Sequence, residues 1–279
     1  MSNSLQTGQF YGATQRKLET AGVVLTELHH RVGRKLPQHT HESAYFSLLL
    51  DGAYSEQCTH RAAEYDAFTV GFHPPSLTHR DEVGPRGARM LCIELRDDFL
   101  ERMRRYWTSP QFTPDLCGAE TTWLSLKLYR AFRQQTASQL VIEELCADML
   151  ERAGRMPLGR ETRDPAWLVR AEELLRESYC ESLTLEGIAS QVQVHPVHLS
   201  RVFRKKWGCT LGEFVHRLRI QFACRQMAEG DLPLGVLAAA AGFADQSHFG
   251  RVFKVYTGQA PAEFRAWMYP AIRTDIVGA

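Results

Sequence analysis

The hydrophobic pattern changes period along the chain. Short, nearly continuous apolar runs come first: GVVLTEL at 22–28, AYFSLLL at 44–50 and ARMLCIEL at 88–95, separated by turn-forming residues. Such runs predict strands, and Asp51-Gly52 reads as a hairpin turn. Antiparallel strands at this spacing suggest a small barrel or sandwich. The period then becomes helical. In DDFLERMRRYW the residues Phe99, Leu100, Met103, Tyr106 and Trp107 follow helical spacing, and after Cys117-Gly118 two more stripes appear. Leu124, Leu128, Ala131 and Phe132 form the first; Ile142, Leu145, Cys146 and Met149 form the second. The polar QQTAS between them predicts an antiparallel helix pair, packed on the strands or on a second copy of the chain. GRMPLGRETRDP, 154–165, is polar and rich in Gly and Pro, and reads as a linker.

Beyond the linker the pattern is helical and it repeats. HLSRVFRKKWG (198–208) and HFGRVFKVYTG (248–258) are one phrase written twice, fifty residues apart. In the first copy Thr184 can cap a helix carrying Leu185, Ile188 and Ala189, a turn follows at 192–194, and Pro196 fits the first turn of a second helix. That second helix is expected to run to Trp207 and stop at Gly208. In the other copy Leu234, Leu237 and Ala238 stand forty-nine residues on, the turn is Gly242-Phe243, Asp245 is an N-cap and Gly258 a terminator. The offset changes from forty-nine to fifty, so the second turn holds one extra residue. Leu199, Val202 and Phe203, like Phe249, Val252 and Phe253, share a face and are expected inside. Two short helices about a tight turn make a helix-turn-helix shape.

Charge sharpens this picture. The chain carries a net charge of only +1, and residues 1–163 balance at twenty basic and twenty acidic. Between Val194 and Arg225, however, seven basic residues (Arg201, Arg204, Lys205, Lys206, Arg217, Arg219 and Arg225) face one acid, Glu213. Such a patch can meet phosphate, although charge alone fits a solvated helix face equally well. Outward arginines on a helix small enough for the major groove reach guanine edges or phosphates.

The repeated segments carry a resemblance. GFADQSHFGRVFKVYTGQAPAEFR (242–265) resembles the signature of the AraC/XylS transcription regulators, and HLSRVFRKKWGCTLGEFVHRLRI (198–220) their first motif. The resemblance implies a seven-helix domain with two helix-turn-helix units joined by a long helix, about Leu211 to Glu229, each second helix entering a major groove of double-stranded DNA. On matching positions it assigns base contacts to His195, Val197, Ser200 and Arg201 in the first unit and Gln246, Ser247, Gly250 and Arg251 in the second. Arg204, Lys205 and Lys254 fall to phosphates. His198 and His248 are expected to be packed and hydrogen-bonded. Three positions depart from the pattern: His195 replaces a serine cap, Gln193 a turn glycine, and Gly187 lies inside a helix at a cost of about 1 kcal/mol relative to alanine.

Histidines mark the first half. VGRKLPQHTHESAYFSLLLDG (32–52) resembles the first cupin motif, with Tyr45 where metal-binding cupins carry glutamate, and HPPSLTH (73–79) the second, with Ser76 replacing a glycine. On a strand His39 and His41 face one side, and His79 from another strand can complete a three-nitrogen site for zinc, iron, nickel or a similar divalent ion. The bland alternative is three histidines that merely line an effector pocket.

Composition bounds the rest. No run of 18 apolar residues exists to span a bilayer, and MSNSLQTGQFYG lacks the basic and apolar regions of a secretory signal, so a cytoplasmic protein is expected. Seven scattered cysteines, none closer than fifteen residues, form no local Cys-x-x-Cys motif and suit reduced thiols. No nucleophile with a positioned base and no phosphate loop is visible. The expected architecture is α+β in two domains: a cupin-like β-barrel sensor over 1–110, a helical dimerisation segment and linker over 111–165, and an all-α tandem helix-turn-helix domain over 166–279. The expected function is DNA-binding transcription regulation without catalysis; the alternative is a metal-dependent cupin enzyme fused to a DNA-binding domain. Expected partners are double-stranded DNA, a second copy in a homodimer, a small-molecule effector and, for an activator, RNA polymerase, with no membrane.

Overall fold

The computed structural model describes residues 3–58, 61–104, 119–135, 138–155, 165–207 and 209–269. The chain divides into two compact units, Met1–Leu158 and Gly159–Ala279. Tyr106, Trp107, Cys117-Gly118, Gly208 and most of the 154–165 stretch lie outside the described residues.

The first unit is built on one curled sheet of eight strands: β1 (Asn3–Leu5), β2 (Ala13–Glu19), β3 (Val23–His30), β4 (His39–His41), β5 (Ala44–Cys58), β6 (Arg61–Asp66), β7 (Val70–His73) and β8 (His79–Leu95). All pairings are antiparallel except β1 with β4. The organising strand is β8. Its second half lies between β3 and β5, with Met90 opposite both Leu28 and Leu49, and its start lies between β4 and the far end of β5, with His79 opposite both His39 and Cys58. Burial follows that division. Residues 90–95 are buried without a break because both faces are covered, whereas the start alternates, with His79, Asp81 and Val83 inward and Arg80 and Glu82 outward.

Asp51-Gly52 is not a hairpin. It lies within β5, where register shifts between Leu49 and Asp51 and between Gly52 and Tyr54 mark bulges. Gly52 holds φ +86°, and a Cβ there would collide with the Gly87 carbonyl oxygen of β8. Asp-Gly supplies the left-handed backbone that a hairpin needs, and a bulge uses the same freedom.

Among the described residues three helices complete this unit: α1 (Asp97–Met103), α2 (Ala119–Gln134) and α3 (Gln139–Arg155). Leu124, Leu128 and Phe132 are buried on α2, as are Ile142, Cys146 and Met149 on α3; Ala131 and Leu145 are half-buried. Glu120 pairs with Arg152 and Ser125 meets Met149, the register of an antiparallel pair. α2 is tied to the sheet by buried polar groups. Tyr129 Oη donates to Glu27 of β3 at 2.8 Å, and Arg133 Nη1 lies 3.3 Å from both oxygens of that carboxylate.

The second unit is helical: α4 (Ala166–Ser178), α5 (Leu185–Gln191), α6 (Pro196–Trp207), α7 (Leu211–Glu229), α8 (Leu234–Ala240), α9 (Gln246–Thr257) and α10 (Pro261–Met268). α7 starts with a capping box in which Thr210 and Glu213 bond reciprocally to each other's backbone N–H. It serves two cores. Phe214, Val215 and Leu218 join Leu175, Ile188 and Phe203 in the first, and the later half, with Ile220, Ala223 and Met227 buried, contacts α8 and α9. Among the described residues no helix is long and apolar enough to cross a membrane, and the six described cysteines are free.

Glu94 on β8 is fully buried, and one of its oxygens accepts the Gly8 N–H at 2.7 Å while the other has no partner. Burial pushes its carboxyl up from 4.5 to about 7, against the pull of the Gly8 bond. The folded state therefore keeps a proton that the unfolded chain releases, so this group's contribution to stability falls as pH rises from about 4.5 to about 7. Glu94→Gln removes that loss. Urea denaturation should show the variant more stable than the parent by on the order of 2 kcal/mol at pH 8 and by little at pH 5.

Candidate nucleic-acid interface and a buried histidine cluster

The two helix pairs of the second unit share one turn chemistry. α5 is capped by Thr184 Oγ1, which accepts the Gly187 N–H at 3.1 Å, so the glycine that departs from the pattern sits where a Cβ would press on the capping oxygen at 3.0 Å. After α5 the backbone turns at Gln193, φ +57°; after α8 it turns at Gly242, φ +80°. The same hydrogen bond closes both turns, Val194 N to Ala189 O and Phe243 N to Ala238 O, each at 3.0 Å. The left-handed region favours glycine, so Gln193 sits there at a cost that Gly242 does not bear. The next helices are capped differently. Asp245 Oδ1 accepts the His248 N–H at 2.7 Å, whereas His195 uses its imidazole, Nδ1 accepting the Val197 N–H at 3.3 Å.

Each second helix buries one face and exposes the other. Leu199, Phe203, Phe249 and Phe253 are fully buried, with Val202 and Val252 half-buried beside them. On the other side of α6, Val197 is 68% exposed, Arg201, Arg204 and Lys205 are exposed and Ser200 is half-exposed; His195, just before the helix, is also exposed. On α9, Gln246, Ser247, Arg251 and Lys254 are exposed, and nothing lies within 4 Å of where a Gly250 Cβ would be. Among the described residues Arg201, Arg204, Lys205, Arg251 and Lys254 make no hydrogen bond or ion pair. The two motif histidines are packed less firmly than expected. His198 is exposed, its ring 5.3 Å from Trp167; His248 is half-buried, edge-on to Phe243 at 5.4 Å; neither ring has a hydrogen bond among the described residues.

The basic cluster read from the sequence is smaller in three dimensions. Arg219 donates to the carbonyls of Tyr179 at 2.7 Å and Glu181 at 2.8 Å, Arg217 and Arg225 bond to Tyr256 and Tyr179, and Lys206 lies 4.6 Å over the Trp207 ring. Arg201, Arg204 and Lys205 are the members that project outward.

The first unit gathers its histidines. His39 and His41 on β4 and His79 on β8 are all buried, and one ring nitrogen from each lies within 4.8 Å of the others. Asp81, two residues beyond His79 and so on the same strand face, joins them, with Oδ2 3.8 Å from His39 Nε2 and 3.9 Å from His79 Nε2. Sequence reading missed Asp81, yet His79-x-Asp81 has the same alternation as His39-x-His41. It also missed a neighbouring pair, His73 Nε2 to Glu56 Oε2 at 2.8 Å. Burial acts to raise the Glu56 carboxyl, but His73 and His79 outweigh it and hold Glu56 at about 2. Burial, with nearby Glu56, pushes Asp81 well above the usual carboxylate range. Burial lowers all three histidines, His41 to about 2 and His79 to about 4, which keeps their rings neutral. Tyr45, at the motif's glutamate place, stacks on His73 at 4.2 Å and reaches His79 Nε2 at 3.4 Å; Ser76, at its glycine place, holds φ +62°. Phe10 and Tyr11 cover the cluster, their rings 4.8 Å from His41 and 4.9 Å from His39. The cavity left here is about 20 Å³, room for a water or an ion.

A family model described as a helix-turn-helix domain matches residues 188–266. AdaA of Bacillus subtilis (strain 168), named a bifunctional transcriptional activator/DNA repair enzyme, is 32% identical over 109 residues, which cover 39% of this chain and 52% of AdaA. PqrA of Proteus vulgaris, named a probable transcription factor, is 35% identical over 85 residues, 30% of this chain and 70% of PqrA. The chain spans about half the length of the first curated relatives it matches. Among solved structures, ToxT from Vibrio cholerae O395 aligns over 90% of this chain and 99% of its own at 13% identity, with a TM-score of 0.39, too low to bear on fold or function.

The paired turns generate opposite expectations. Gln193→Gly should raise the stability of the second unit by about 0.5–1 kcal/mol, because it relieves a left-handed side-chain-bearing residue. Gly242→Ala should lower it by more than about 1 kcal/mol, since its Cβ would collide with the Cys180 carbonyl. Chemical denaturation of both variants against the parent chain checks the pair.

Proposed function

The chain belongs to the AraC-type family of transcription regulators, and from that premise we propose that it is a sequence-specific DNA-binding regulator in which α5–α6 and α8–α9 act as tandem helix-turn-helix units. The observation that carries this is the outward side of α6 and α9: long cations exposed and unpaired, with the small Ser200 and Gly250 among them. A helix with that surface can approach a major groove closely. Arg201 and Arg251 sit mid-helix, where guanine edges come within reach, while Arg204, Lys205 and Lys254, one turn on, suit phosphates. His195 spends one ring nitrogen on capping, so its contact with a base would use the other.

On this reading the first unit is the sensory part of a cytoplasmic protein. An effector bound there would change the affinity for DNA only by favouring one arrangement of the chain over another. A second copy is the expected partner; Leu140 and Val141 on α3 are exposed apolar positions that it would cover. RNA polymerase enters as a partner if the regulator activates. AdaA shows that a relative of the matched region can be bifunctional by name; for this chain the exposed cations of α6 and α9 favour regulation over a fused enzyme.

Selection of bound fragments from a random DNA pool, followed by gel-shift titration, tests the assignment. Arg251→Ala should weaken binding to the selected site by roughly 1–3 kcal/mol and relax preference at one base pair. Lys254→Ala should weaken selected and random DNA alike and flatten the salt dependence. Equal losses on both kinds of DNA from Arg251→Ala would remove the base-reading role.

A further inference from the structure

Gly212, Val215, His216 and Arg219 recur on α7 at the spacing of a single helix face. That face, with Leu211, meets Leu175 of α4 and the start of α5 around a cavity of about 270 Å³. The walls are aliphatic. Leu175, Ile188 and Val215 are buried behind the cavity, and Leu185 and Leu211 are half-buried beside it. Thr184 and Gly212 are exposed, and a Cβ on Gly212 would meet nothing within 4 Å, which places the mouth at the beginnings of α5 and α7. A close-packed interior holds few voids larger than a water molecule, and this one has room for about nine at liquid density.

Polar groups collect along the α7 wall. Arg219 is half-buried there, its Nε donating to the Tyr179 carbonyl at 2.7 Å and its Nη2 to that of Glu181 at 2.8 Å, with the guanidinium 5.6 Å from the centre of the Phe243 ring. Two carbonyls and a ring orient the charge without neutralising it. Among the described residues no carboxylate pairs with Arg219, and neither Nη1 hydrogen is used. Burial, opposed only by nearby Cys180, pulls its pKa below the usual value, as befits a cation that has lost water without gaining an anion. His216, also half-buried, makes no hydrogen bond among the described residues. Burial, with Arg219 and His248 nearby, lowers its pKa, so the ring is neutral and donates from one nitrogen.

We propose that this cavity binds one small organic acid, a carboxylate on an apolar body of about eight carbons, with the carboxylate on Arg219 and the body against the aliphatic walls. The acid supplies the anion that the guanidinium lacks, through a charge-assisted bond stronger than one between neutral groups. Thr184 Oγ1 accepts the Gly187 N–H but keeps its own proton to give, and it joins His216 as a further donor at the wall. The volume lies below that of drug-sized sites, and the aliphatic walls disfavour a phosphate, whose oxygens would go unmatched against them. No residue of α6 or α9 lines the cavity, so an occupant leaves the outward cations free, and the site does not rest on the DNA-reading assignment.

The test uses the full chain and octanoate, with octanol as an uncharged body of the same length. Calorimetry should give one octanoate per chain, octanol binding at least tenfold more weakly, and octanoate should raise the melting temperature. With isoleucine, leucine and valine methyl groups isotope-labelled, nuclear Overhauser contacts from octanoate to Ile188 and Val215 are expected. Arg219→Gln keeps a polar side chain and loses the charge. Shown to be folded by circular dichroism, it should bind octanoate at least tenfold more weakly than the parent and octanol about as the parent does. Should that variant fail to fold, the contacts in the parent decide alone: those to Ile188 and Val215 support the site, and octanoate binding without them, or confined to methyl groups of the first unit, overturns it. A folded parent chain that binds no octanoate, or binds octanol as tightly, also overturns the proposal, as does unchanged octanoate affinity in the folded variant. Because binding is read without DNA, its failure is distinguishable from failure of the regulatory reading.

Discussion

A single residue in left-handed backbone, at the end of a seven-residue helix, is the constraint on which the second unit depends. It lets the chain pass from α5 to α6, and from α8 to α9, within four or five residues, with the same hydrogen bond closing each passage. Once the turn is set, side-chain periodicity does the rest. Phe203 and Phe253 have nowhere to go but the core, and Arg201 and Arg251, two positions earlier on a 3.6-residue helix, have nowhere to go but outward. The cations thus owe their availability to the phenylalanines. α7 holds both arrangements at once by burying different faces along its length.

The first unit has a different economy, in which buried polar groups are distributed along strands that meet at β8. Two buried carboxylates are matched by their neighbours, Glu27 by Tyr129 and Arg133, and Glu56 by His73. Leaving such groups unmatched in a low-dielectric interior is expensive. The third set, where imidazoles face Asp81 across a gap, stands out against those two because its donors are oriented yet do not touch.

Much of this was readable in advance, for physical reasons that can be named. The long apolar runs became β3, β5 and β8 because unbroken apolar stretches of that length have few other solutions, and Thr184, Pro196, Asp245 and Gly258 mark helix ends because their side chains or backbones do one local job. His39, His41 and His79 came together because alternation and pairing are simple rules. The sequence was silent where an outcome depends on distant neighbours. Asp51-Gly52 became a bulge because β8 runs alongside β5 there, which no local pattern announces. Arg219 looked like one more surface cation until the fold placed the Tyr179 and Glu181 carbonyls beside it. Asp81 was overlooked because a lone aspartate in a strand gains meaning only from what pairs across from it.

The five residues between α8 and α9, against four between α5 and α6, carry a consequence of their own. The same hydrogen bond closes both passages, yet the later one runs one residue further before its helix begins, so the duplicated halves are siblings rather than replicas.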